Sequence, residues 1–290
     1  GGGGGAAVLL DKPREYSVTF RFPSAQDDRP TIAVLDAGYT VPGWKKPLYK
    51  NLRFSVHSKS RIALVGPNGC GKSTLLGLLT GRLAPSQGEV ALDRRLVIGR
   101  YDQHFDELLP VHTNLSGTAH LMEAHGVSEQ DARKLLGQSG LEGSAHLTPV
   151  RSLSGGQKSR VLFASLAATE AHLLIMDEPT NHLDLESVEA LIEGLNAFEG
   201  GVVVSTHDAR LVEGLTDCEV WVVGGSGGIE ETSNDSASGV RVLPSPNGFM
   251  RYREGVALEV EQRVARAHAQ ASKRRGGLKE RAAGRVTAKK

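Results

Sequence analysis

Cysteine is nearly absent from this chain: Cys70 and Cys218 are the only two among 290 residues. That count excludes a disulfide framework and makes a reducing compartment the expected home. Long apolar runs are missing too, since no stretch approaches the ~20 residues a membrane-spanning helix needs. The opening "GGGGGAAVLL" has neither the basic start nor the apolar core of a secretory leader. A cytoplasmic chain with no membrane insertion is expected. No internal repeat is found. With 39% hydrophobic and 23% charged residues, the composition still suffices for a sizeable core.

A surplus of either charge is missing overall, but the net +1 hides an asymmetry. Residues 251–290 carry 12 Lys or Arg against 4 Glu, a surplus of eight that leaves −7 on the first 250. A basic tail on an acidic body suggests a polyanionic partner such as RNA, or simply a solvated tail.

Residues 1–30 are glycine-rich and then mixed, and read as a flexible lead-in or linker remnant. From 31 to about 60, "TIAVLDAGYT" and "LYKNLRFSV" alternate as half-buried strands do, giving an antiparallel flank. "RIALVG" then reads as a buried strand feeding the amphipathic helix "KSTLLGLLTGRL". "GEVALDRRLVIGRYDQ" is expected to form a hairpin. Residues 106–165 suggest a small helical subdomain, and the apolar runs "HLLIMD" and "GVVVST" fit strands covered on both faces. Val188, Leu191, Ile192 and Leu195 between them mark a crossover helix, so the unit is β-α-β. Residues 224–239 lack any apolar period and read as a mobile loop between "EVWVV" and "VRVL". The expected fold is therefore α/β of P-loop type: a mainly parallel core sheet, an antiparallel β flank and a helical subdomain within residues 31–250, followed by a basic helix or tail at 251–290.

The chemistry concentrates in a few places. Gly66, Pro67, Asn68, Gly69, Cys70, Gly71, Lys72, Ser73 and Thr74 contain G-x-x-x-x-G-K-[ST], set between a predicted strand and a predicted helix. Glycines let backbone N–H groups wrap phosphates, Lys72 reaches the β and γ groups, and Ser73 ligates Mg²⁺. Asp177, directly after an apolar strand, is placed to hold the same Mg²⁺ through water, and Glu178 beside it is the candidate base for the attacking water. His207 closes the next buried strand at the same sheet edge and can meet the γ-phosphate or orient the water. Gln103 is a candidate for the metal or the water. Tyr39, 27 residues before Gly66, can stack on a base.

In this order the motifs resemble the nucleotide-binding domain of the ATP-binding cassette superfamily. "GPNGCGKST" resembles its Walker A motif, Gln103 the Q-loop, "LSGGQ" the signature motif, "LLIMDE" Walker B, "NHLD" at 181–184 the D-loop and His207 the H-loop residue. The resemblance implies Mg²⁺-dependent ATP hydrolysis. It also implies two cassettes packed head to tail, with Ser154, Gly155, Gly156 and Gln157 binding ATP held by the partner and Asp184 at the junction. "DEPTNHLD" with "STHD" is similar to the soluble ABC-F group, paired cassettes that act on ribosomes. "REYSVTFRFP" and "GFMRYRE" resemble the flanks of the second cassette of eukaryotic members. The partners so implied are a second cassette and the ribosome or its rRNA. The alternative is the cytoplasmic nucleotide-binding subunit of a transporter.

Overall fold

The structure is a computed structural model that describes residues 18–25, 31–102, 108–224, 239–243, 247–258, 260–262 and 264–265. Its described residues divide into two compact units.

The larger unit carries two sheets. Strands β1 (Thr31–Tyr39) and β2 (Tyr49–His57) pair antiparallel. β3 (Arg61–Val65) leads into helix α1 (Lys72–Leu79), and β4 (Gln87–Leu92) returns to the other side of β1, giving a three-stranded sheet in the order β2-β1-β4. β5 (Ile98–Tyr101), β6 (Leu173–Asp177), β7 (Gly201–Ser205), β8 (Glu219–Val223) and β9 (Val240–Leu243) join β3 in a second sheet, ordered β5-β6-β7-β3-β8-β9. All its pairings are parallel except β8 with β9.

Every residue of β6 and of β7 is buried, as strands covered on both faces require. Ile32, Leu52, Leu64, Leu79 and Val203 sit in one apolar cluster that joins both sheets to α1. Burying such side chains contributes on the order of 1.5–3 kcal/mol each. The cluster thereby fixes where β3 ends and α1 begins.

The sequence-based expectation of a hairpin over 88–103 fails. β4 pairs with β1 and β5 with β6, so the two strands lie in different sheets. The physical reason lies in their connection. Leu96 N–H bonds back to Asp93 O at 3.0 Å, and Val97 N–H donates to His172 Nδ1 at 3.0 Å. These bonds turn the chain away from β4 and deliver it beside the start of β6. Alternation announced two strands correctly but carried no information about their partners.

The smaller unit is helical. α2 (Gly117–His125), α3 (Glu129–Gln138), α4 (Gly155–Ala167) and α5 (Leu185–Ala197) start at Ser116, Ser128, Ser154 and Asp184, each accepting a backbone N–H from its own first turn. The segment 18–23 belongs to this unit: Thr19 N–H donates to Gln138 O at 2.9 Å, and Phe20 packs its ring 4.5 Å from Phe163. Gly194 allows the approach, because a Cβ there would lie 2.5 Å from Phe20 O. In chain order α5 connects the parallel strands β6 and β7, so the expected β-α-β crossover is present. Helix α6 (Ala209–Gly214) follows β7 in the larger unit. Among the described residues no helix is long and apolar enough to cross a membrane.

Candidate functional site

Three parallel strands, β6, β7 and β3, lie side by side and end at one edge of the sheet. After β3 the chain enters the loop 66–71, and the loop's glycines are required there. Gly66 has φ 149° and a Cβ on it would collide with Val223 O; Gly71 has φ 114° and a Cβ would stand 2.6 Å from Tyr49 Oη. Tyr49 Oη also donates to Gly71 O at 2.9 Å, which fixes the loop's exit into α1. Gly71 caps α1 with no side-chain acceptor, so the first-turn N–H groups of Lys72, Ser73 and Thr74 are left for an anion.

A cavity of about 520 Å³ opens at this edge, the size of a small-ligand site. Asn68, Gly69, Gly71, Lys72, Ser73, Thr74, Asp177, Glu178, Asn181 and His207 line it. Lys72 is only 7% exposed, and its ammonium donates to Gly66 O at 2.9 Å and Pro67 O at 3.4 Å. His207 Nε2 lies 3.1 Å from Lys72 Nζ and 3.3 Å from Glu178 Oε1. An ammonium only donates, so Nε2 accepts from Lys72 when the ring proton sits on Nδ1, and donates to Glu178 when Nε2 itself carries a proton. The two contacts are alternatives.

Glu178 stands in the left-handed region at φ 49°, a conformation that costs a non-glycine residue roughly 1–3 kcal/mol. Its N–H bonds to Ser205 O at 2.8 Å, and its carboxylate accepts from His207 N–H at 3.2 Å. Burial raises its pKa above the ordinary carboxylate value; His207 and Lys72 pull it back, and Asp177 adds to the rise. That is the direction a proton acceptor for water requires.

Asp177 pairs in register with Ser205 and is 8% exposed at the cavity wall. Its carboxylate and the Ser73 hydroxyl are hard oxygen donors of the kind Mg²⁺ takes alongside phosphates and water. Among the described residues no group of three or more His, Cys, Asp and Glu is placed to hold a metal ion.

The structure thus brings together Asn68, Gly69, Gly71, Lys72, Ser73, Thr74, Asp177, Glu178 and His207 from the residues singled out in the sequence. Gly66, Pro67 and Cys70 belong to the loop but not to the cavity wall. Tyr39 ends β1 opposite Tyr49 and is likewise absent from the wall. Gln103 lies outside the described residues.

The "LSGGQ" residues form the start of α4 in the smaller unit. Ser154 Oγ accepts from Gln157 N–H at 3.3 Å while Gln157 Oε1 accepts from Ser154 N–H at 3.0 Å, a capping box. Ser154 and Gly155 are exposed. Asp184 caps α5 through Ser187 N–H at 2.8 Å and pairs with Arg160 of α4 at 3.3 Å.

Four contributors escaped sequence reasoning. Asn181 lines the cavity, Tyr49 braces the loop, Arg160 ties α4 to Asp184, and the His182 ring lies 3.7 Å from where a Cβ on Gly155 would sit. Asn181 and His182 stand inside "NHLD" and were within reach. Tyr49 and Arg160 act through folded distance and had no local signal.

Residues 49–181 match the family described as ABC transporter. "ABC transporter F family member 4" of Arabidopsis thaliana is 41% identical over 222 residues, covering 73% of this chain and 30% of that protein. "ATP-binding cassette sub-family F member 2" of Mus musculus is 41% identical over 218 residues, covering 74% and 34%. Among solved structures, the dimeric ATP-binding cassette MJ0796 in a post-hydrolysis state bound to ADP and Pi superposes with a TM-score of 0.57 at 23% identity, covering 66% of this chain and 93% of that one. This chain spans about a third of the length of its two named relatives.

Family match and fold together define a domain of the ATP-binding cassette class. The chain belongs to the ATP-binding cassette family, with the F members among its relatives.

Proposed function

We propose that this chain is one cassette, the second of two in a longer protein, that hydrolyses ATP to ADP and phosphate with Mg²⁺ and works head to tail with another cassette in translation or ribosome assembly. The observation that carries the reading is the single cavity shared by Lys72, Ser73, Asp177, Glu178 and His207. In it Lys72 and the first-turn N–H groups of α1 hold the phosphates. Ser73, Asp177 and Gln103 hold Mg²⁺, which when bound neutralises charge on the phosphates. Glu178 takes the proton of the attacking water, and His207 leaves Lys72 to hold the γ-phosphate. Tyr39 stacks on the adenine.

Pairing is supported by the exposed start of α4, whose Ser154, Gly155 and Gly156 would meet ATP held by another cassette; Gln157 holds Ser154 in place and Asp184 borders the joint. The MJ0796 cassette is itself described as dimeric. A second wall keeps bulk water from the reacting phosphate. Specific ATPase activity of the isolated chain is therefore expected to fall on dilution, roughly in proportion to the loss of dimer; constant activity across a wide dilution series refutes the pairing. Fractionation of the full-length protein tests the setting: association with ribosomes supports it, and association with membranes favours a transporter subunit.

A further inference from the structure

We propose that the loop between β1 and β2 is a docking site for single-stranded nucleic acid, with Trp44 as the stacking surface for a base and Lys45, Lys46 and Lys50 taking the neighbouring phosphates. The loop lies in the larger unit but its residues do not line the cavity, so the inference is independent of the ATPase reading.

The chain has two tryptophans, and they are treated in opposite ways. Trp221 is 3% exposed and packs edge-on against Phe54 with ring centroids 4.6 Å apart. Trp44 is 58% exposed. Leaving so large an apolar ring in water is costly unless something covers it.

The backbone that carries the ring is also held in place. Trp44 N–H donates to Val41 O at 2.9 Å across Pro42 and Gly43, and Gly43 takes φ +86° as the third residue of a tight turn. The loop is closed at its base by the Tyr39–Tyr49 pair and Leu48 N–H to Tyr39 O at 2.8 Å, and anchored from the side by Thr40 N–H to Ser86 Oγ at 3.0 Å. Proline on both sides, Pro42 and Pro47, further narrows its conformations. A loop backbone set in advance loses less entropy on binding than a free one. Beside it there is room, because nothing lies within 4 Å of where a Cβ on Gly43 would be.

Charge selects the partner. From Tyr39 to Lys50 the sequence YTVPGWKKPLYK holds three lysines and no carboxylate, and all three lysines are exposed. An apolar pocket on a protein would have to bury or pair those ammonium groups next to the indole. A single strand offers an aromatic face and flanking phosphates at neighbouring positions, matching ring and lysines together. A duplex hides its base faces and fits poorly.

The test uses the whole chain and a short oligouridylate, with oligothymidylate and a duplex RNA in parallel. Because Trp221 is buried, quenching of tryptophan emission on titration reports Trp44. Quenching by both single strands, with little by the duplex, is expected; a stronger effect of oligouridylate would identify RNA as the preferred source. Trp44→Ala should remove the quench and weaken loop-dependent binding of end-labelled oligouridylate roughly tenfold, with Trp44→Phe restoring most of it. Lys45→Ser with Lys46→Ser should lower the salt slope of binding by about 1.4, the value for two single-strand phosphate contacts. Lys72→Ala, which addresses the ATPase reading, should leave the quench intact. No quench by either single strand overturns the proposal and leaves a protein as the partner of this surface. Quenching by ATP alone, with weakened ATP binding in Trp44→Ala, overturns it in favour of an adenine contact.

Discussion

At the residue scale the most informative position is Glu178, which combines a left-handed backbone with a carboxyl whose proton is held more tightly by burial. Glu178→Gln keeps the shape and removes the acceptor. Turnover is expected to drop by about 10²–10⁴, the range for losing a general base, while ATP stays bound and the paired form accumulates. Rapid-quench ATPase assays and sedimentation measure both. The two cysteines give a second residue-scale prediction. Burial pushes the Cys218 thiol up to about 12, so it stays protonated and unreactive. Cys70 is half-buried in the phosphate loop, with Gly224 so near that a Cβ there would lie 2.7 Å from the Cys70 Cβ. Mass spectrometry after maleimide treatment should find Cys70 labelled, Cys218 untouched and the label suppressed by ATP; label on Cys70 that ATP does not suppress would place its thiol away from the nucleotide.

At the scale of elements, helix starts carry much of the local order. Asp184→Ala should cost the protein about 1 kcal/mol through loss of the α5 cap, read from denaturant midpoints. Hydrogen bonds from Ser187, and secondarily the Arg160 guanidinium, hold the Asp184 carboxyl below its ordinary value near 3.8. A depressed carboxylate stabilises the fold above its unfolded pKa, and that contribution fades as pH falls through the folded value. The gap between wild type and Asp184→Ala should accordingly be full at neutral pH and close only in acid below 3.8. Phe163 anchors the helical unit from α4, fully buried against Phe20. Phe163→Ala should destabilise by about 3–5 kcal/mol, measured by thermal or urea unfolding.

Elements also mark where the sequence could be read and where it could not. The phosphate loop, the buried strands β6 and β7 and the crossover helix were legible because each is specified by neighbours a few residues away. The strands β4 and β5 were visible as strands, but the side chain that separates them, His172, lies 75 residues beyond Val97. Likewise Tyr49 reaches Gly71 across 22 residues and Arg160 reaches Asp184 across 24, distances over which periodicity is silent. The exposed Trp44 was written in the sequence, yet nothing local separates it from the buried Trp221.

At the scale of the whole molecule, strand order explains why one edge of the sheet gathers the chemistry. β3 delivers the phosphate loop, β6 the two carboxylates and β7 His207, and β7 lies between the other two although β3 ends at Val65 and β6 begins only at Leu173. The helical unit, in contrast, presents its α4 start to solvent, with Ser154 and Gly155 exposed. Ser154→Arg should leave ATP affinity of the single chain unchanged, by fluorescent-nucleotide titration, while abolishing the concentration dependence of turnover.

The base of the β8–β9 hairpin has a practical consequence. Gly224 N–H bonds to Gly239 O at 3.0 Å, both glycines take positive φ, and Val223 O abuts the phosphate loop at Gly66. A Cβ on Gly224 would also lie 2.7 Å from the Cys70 Cβ, so any bulk added at this clasp presses directly on the phosphate loop. The junction is therefore a poor place to graft a reporter or an affinity tag.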